Sequence, residues 1–149
     1  MTTRADIVAE ARSWLVPVTR WQHQASLKGI GCDCIGFVAG VARELGIAEA
    51  AEFWADGRVM GYGREPDPEM LVSTCERYMD RIGMDAALPG DVLVLRFRSE
   101  PQHFAFLSRV NPAYMLHGYA QARRVVENRI DALWRSRILS AWRFRGVYG

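Results

Sequence analysis

Apolar positions recur at helical spacing in the first half of the chain and alternate in the second. Over residues 3–15, Ile7, Ala11, Trp14 and Leu15 share one helical face; Thr2 or Thr3 can cap the start, and Pro17 stops the helix. Residues 18–31 mix polar and aromatic side chains and read as a loop. A second helix is predicted over 34–45, with Asp33 as N-cap, Ile35, Val38, Ala39, Ala42 and Leu45 as its buried face, and Gly46 as its stop. Gly36 and Gly40 leave one side of it bare, so another element can pack closely there. Residues 48–56 read as a short helix and 57–66 as a surface loop. Asp67-Pro68 opens a third helix to about residue 82, with Pro at the favoured first position. The period then falls to two. A turn at 88–91 precedes strands at 92–97, 102–110, 114–119 and 124–128; a helical turn at 131–137 leads into a last strand at 138–144. Helices first and antiparallel strands second is an α+β pattern, and no boundary divides residues 1–149 into two domains.

Composition narrows the function. At 149 residues the chain matches one average domain and is long enough to bury a core without staples. A net charge of +2 is too small for a dedicated nucleic-acid binder. Three cysteines cannot all pair, which excludes a disulfide scaffold. The Cys32-x-Cys34 spacing is tight for zinc and no histidine pair follows at finger spacing, so neither metal nor cofactor is expected. The start, MTTRADIVAEARSWL, lacks the basic-then-apolar layout of a signal peptide, and no apolar run is long enough to span a bilayer. The expectation is cytoplasmic synthesis with reduced thiols.

The candidate chemistry lies at Cys34. A cysteine at a helix start sits among unpaired backbone N–H groups and the positive end of the dipole, which favours the thiolate. Acyl transfer by a thiolate also needs a base. His103 and His117 fall on two successive predicted strands. If those strands are neighbours, one imidazole can face the thiol while the other orients it. Taken singly, a cysteine at a helix start is more often a small buried residue, and a strand histidine more often a structural one.

The ordered set of motifs adds to this. Asp33-Cys34-Ile35-Gly36-Phe37-Val38 resembles the Asp-Cys-x-Gly signature of the NlpC-type cell-wall peptidases, a papain-like cysteine hydrolase family. Leu88-Pro89-Gly90-Asp91-Val92-Leu93 is similar to the strand preceding that family's catalytic histidine. Gln102-His103-Phe104-Ala105-Phe106-Leu107 resembles the histidine strand, and Met115-Leu116-His117-Gly118-Tyr119 the strand of the third catalytic residue. Residues 23–29, 123–127 and 134–144 further resemble the subgroup associated with bacteriophage tails and phage-derived gene-transfer particles.

The resemblance implies a papain-like fold with Cys34 as nucleophile, His103 as base and then acid, and His117 as the orienting residue. It implies hydrolysis of peptidoglycan stem peptides, at the bond between D-glutamate and a diamino acid. The setting it implies is a virion tail tip or baseplate that opens the wall for DNA delivery, with tail-hub or baseplate proteins as partners. The Cys34 backbone N–H would hold the oxyanion. Many family members supply a tyrosine as second donor; this chain has Val18-Thr19-Arg20-Trp21 in its place, which turns attention to Trp21, His23, Gln24 and Asp33 around the site. That departure motivates the alternative of a structural tail-hub adaptor or plug with weakened chemistry. An amidase or acyltransferase would use the same residues. Cys32 and Cys75 read as packing, and Arg135, Arg137, Arg143 and Arg145 as a solvated face or a docking surface.

Overall fold

The computed structural model describes residues 1–47 and 67–149; the helix and loop expected over 48–66 lie outside them. Thr3 caps α1 (Arg4–Arg12) through a reciprocal box, its hydroxyl accepting from the Asp6 N–H while the Asp6 carboxylate accepts from the Thr3 N–H. Helix α2 (Cys34–Glu44) starts at Asp33, whose carboxylate accepts from the Gly36 N–H at 2.7 Å. Both bare positions of α2 are filled by neighbours. A side chain at Gly36 would collide with the Ala25 carbonyl, and one at Gly40 with the Trp14 ring.

The third helix is shorter than its sequence predicts. Helix α3 spans Pro68–Tyr78, and the chain continues directly as strand β4 (Met79–Ile82), paired antiparallel with β9 (Ile138–Phe144). The helical period gives way because ladder pairing with β9 rewards the extended form, which local propensity does not register. Arg145 secures the junction, donating to the carbonyls of Glu76, Arg77 and Met79 and pairing with Asp80.

Among the described residues nine strands form one sheet, in the order β2-β3-β1-β8-β7-β6-β5-β9-β4. Strands β5 (Val92–Arg96), β6 (Pro101–Arg109), β7 (Tyr114–Tyr119) and β8 (Arg124–Arg129) pair antiparallel, close to their predicted bounds. A short helix α4 (Ala132–Arg137) connects β8 to β9. The expected loop over 18–31 carries three two-residue strands, β1 (Arg20–Trp21), β2 (Ser26–Leu27) and β3 (Gly31–Cys32), with β1 parallel to β3 and antiparallel to β8. Two-residue ladders are too short to show alternation in a sequence.

The main core lies between the helices and one face of the sheet. Trp14, Phe37 and Phe106 meet edge-on there, at 5.4 and 5.6 Å between ring centres. A smaller cluster on the opposite face holds Leu93, Leu95, Ala105, Leu107, Met115, Ile130 and Ala141. Asp91, in the predicted turn, is buried between Arg4 and Arg143 at 2.7 and 2.8 Å and also accepts from the Leu88 N–H. Arg143 is therefore tied to a buried carboxylate rather than simply solvated, whereas Arg145 remains exposed while bonding within the chain. Arg137 lies over the rings of Trp134 and Phe97.

Candidate active site

Cys34 is the first residue of α2, so the local sequence fixes where its sulfur points. Asp33 binds this helix start to the preceding loop. One carboxylate oxygen takes the Gly36 N–H, and the other takes the Gln24 N–H at 2.8 Å, with Gln24 held at φ +56°. Strand β7 passes close by: a Cβ at Gly118 would lie 2.9 Å from the Asp33 carbonyl oxygen. The glycine after His117 thus lets the histidine strand approach the cysteine helix.

His103 on β6 and His117 on β7 are both buried. His103 Nε2 lies 2.7 Å from His117 Nδ1, and His117 Nε2 lies 2.6 Å from Asn128 Oδ1 on β8. The three side chains form a line across adjacent strands. Cys34 and His103 open on one cavity of about 160 Å³, shared with Trp21, Phe97, Tyr119 and Gln121. The backbone N–H groups of Phe104, Ile35 and Cys34 act on the Cys34 sulfur, so the thiol sits beside the residue that follows His103.

The electrostatics correct the thiolate expectation. Burial, reinforced by the neighbouring Asp33 carboxylate, pushes the Cys34 thiol up to about 12, and the three N–H groups offset only part of that. Burial pushes His103 well below its ordinary value, with His117 adding to the effect. Burial also brings His117 down to about 4, against the opposing effect of the hydrogen bond it donates to Asn128. Both shifts favour the uncharged forms, a thiol and a neutral imidazole. The dipole argument fails because a dry site penalises any charge more than a helix start repays it.

An aromatic wall creates that dryness. The Tyr119 ring stacks on His117 at 5.0 Å, Trp134 meets His117 edge-on at 5.3 Å, and Phe97 lies 5.0 Å from the His103 ring. Of the residues proposed around the missing tyrosine, Trp21 and Asp33 line the cavity, while its described lining does not include His23 or Gln24. Asp33 serves as the cap and loop tie. Asn128, Phe97 and Trp134 escaped the sequence reading. Asn128 had one available signal, its place on the strand beside His117, but that depends on a register no motif marks. Cys32 and Cys75 are buried, as expected of packing residues. Among the described residues no group of three or more His, Cys, Asp or Glu could hold a metal ion, and no helix is long and apolar enough to cross a membrane.

No family model matches the sequence, and no curated protein matches it. Solved structures do match. The NlpC/p60 domain of the peptidoglycan hydrolase SagA is 19% identical, with 95% of this chain and 98% of that chain covered and a TM-score of 0.63. NlpC2 from Trichomonas vaginalis is 14% identical, with 93% and 46% covered and a TM-score of 0.61. NlpC1 from the same organism is 12% identical, with 93% and 44% covered and a TM-score of 0.57. The chain spans less than half the length of either Trichomonas protein. The fold is that of the papain-like NlpC/p60 domains, as the motifs imply, with a cysteine helix packed on an antiparallel sheet.

Proposed function

We propose that this protein is a cysteine peptidase that hydrolyses the stem peptides of peptidoglycan. The observation that carries the proposal is the 2.7 Å contact between His103 and His117 in the site whose cavity also exposes Cys34. The likeness in fold to the NlpC/p60 domain of SagA, a peptidoglycan hydrolase, supports the substrate class.

In this reading the Cys34 sulfur attacks the carbonyl carbon of the scissile amide as its proton passes to His103 Nδ1, the ring nitrogen not engaged by His117. The carbonyl becomes an oxyanion, met by the Cys34 backbone N–H at the start of α2. His103 returns its proton to the amine nitrogen, the C–N bond breaks, and a thioester remains on Cys34. Water then attacks the thioester, giving a proton to His103; the released sulfur regains that proton as the carboxylic acid leaves. Because both groups rest neutral, proton transfer accompanies attack rather than preceding it.

The finer reading is cleavage between D-glutamate and the diamino acid, by a component of a phage-like tail tip or baseplate that is made in the cytoplasm and carried in the particle. It rests on the motif order and on the segments 23–29, 123–127 and 134–144. The test is digestion of purified muropeptides, with products identified by mass spectrometry. Fragments separated at the D-glutamyl bond are expected. Cleavage at the sugar-to-peptide amide would assign an amidase instead, and no cleavage by the folded protein would leave the structural adaptor.

A further inference from the structure

We propose that Asn128 is a positioning residue that sets the tautomers of both buried histidines, extending the site to Cys34, His103, His117 and Asn128. The role assigned to His103 rests on the peptidase reading; the hydrogen-bond argument does not.

The amide oxygen of Asn128 carries no proton. Asn128 Oδ1 lies 2.6 Å from His117 Nε2 and can only accept, so His117 must carry its proton on Nε2. The amide cannot turn over freely, because Asn128 Nδ2 donates to the Arg129 carbonyl at 3.1 Å, and a flip would set two carbonyl oxygens against each other. With the proton on Nε2, neutral His117 presents a bare lone pair at Nδ1. That lone pair faces His103 Nε2 at 2.7 Å, so His103 carries its proton on Nε2 as well. His103 Nδ1 is thereby left as an acceptor, the form that can take a proton from a thiol. One amide oxygen thus dictates the state of a nitrogen two rings away.

Geometry and burial make this dictation firm. Asn128 pairs with Met115, and His117 lies two residues along the same face, so the Asn128–His117 contact is a diagonal one between neighbouring strands. His117 is fully buried under Tyr119 and Trp134, where an imidazole N–H without a partner is costly. Both rings are held neutral, which makes the tautomer, rather than the charge, the variable to be set.

The experiment is nitrogen-15 NMR of the imidazole rings in the full chain at neutral pH, on the wild type and on Asn128→Leu and Asn128→Asp. In the wild type both His103 and His117 should show the Nε2–H form. Asn128→Asp keeps an acceptor and should keep both tautomers. Asn128→Leu removes it and should shift His117, and with it His103, toward Nδ1–H. On stem peptides Asn128→Leu should lower kcat roughly tenfold or more with little change in KM, and Asn128→Asp should restore most of the loss. Wild-type rings in the Nδ1–H form would overturn the proposal, as would an Asn128→Leu spectrum identical to wild type. If Asn128→Leu does not fold, the wild-type and Asn128→Asp spectra still decide. Tautomers as stated in a protein that cleaves no stem peptide would overturn the peptidase reading and leave this one standing.

Discussion

Asp33→Asn separates the two jobs of the residue before Cys34. The carboxylate accepts from the Gly36 N–H at 2.7 Å and from the Gln24 N–H at 2.8 Å, so both oxygens are committed. An amide of the same shape offers one acceptor. If its oxygen keeps the helix cap, its NH₂ meets the Gln24 N–H and two donors oppose each other. A buried contact of this kind costs about 1–3 kcal/mol, taken as about 2 kcal/mol. In a domain of this size that lowers Tm by roughly 6 °C. The same change removes the charge that helps to raise the Cys34 thiol. The variant should therefore be less stable and yet form its thiolate at lower pH. Urea unfolding gives the first quantity. The pH midpoint of Cys34 alkylation by iodoacetamide, followed by peptide mass spectrometry, gives the second, and a midpoint is insensitive to simple changes in access. Unchanged stability would refute the assigned hydrogen bonds. A midpoint that stayed or rose would refute the charge argument.

Other consequences are as direct. In wild-type protein Cys34, which opens on the cavity, should alkylate faster than the enclosed Cys32 and Cys75; peptide mapping showing Cys75 as the fastest would contradict the site. His117 falls from 6.5 to about 4 on folding, so the unfolded chain binds the proton more tightly. Stability should be unaffected by this group above pH 6.5 and decline as pH drops toward 4, by about 3 kcal/mol in all, in urea titrations compared with His117→Gln. Activity should likewise have an acid limb below the usual histidine range, where His103 becomes protonated, rather than a limb set by a preformed thiolate. Asp91→Ala should destabilise by about 3 kcal/mol, because Arg4 and Arg143 lose a shared buried partner; a denaturation midpoint close to wild type would count against that tie.

The parts legible in the sequence are those with local signals. Helix α2 carries its cap, its bare face and its stop within a few residues, and the strands from β5 to β8 are short runs set off by turn residues, β5 and β7 buried along most of their length. What escaped depends on partners distant in sequence. Residues 79–82 became a strand because β9 and Arg145 come from the far end of the chain. The helix dipole at Cys34 is a local signal, whereas the dryness that opposes a thiolate comes from Phe97, Tyr119 and Trp134 on three separate segments of the chain. Asn128 carries no local signal for a related reason: it belongs to no motif and reaches His117 only through the pairing of β7 and β8.

The central claim is that Cys34 and His103 cleave a peptidoglycan peptide. The most direct measurement is the rate of stem-peptide hydrolysis by wild-type protein, with Cys34→Ala and His103→Ala alongside and each fold verified by circular dichroism. Wild type should turn over the peptide, and neither variant should do so above background. Equal turnover by Cys34→Ala, or none by a folded wild type, would contradict it.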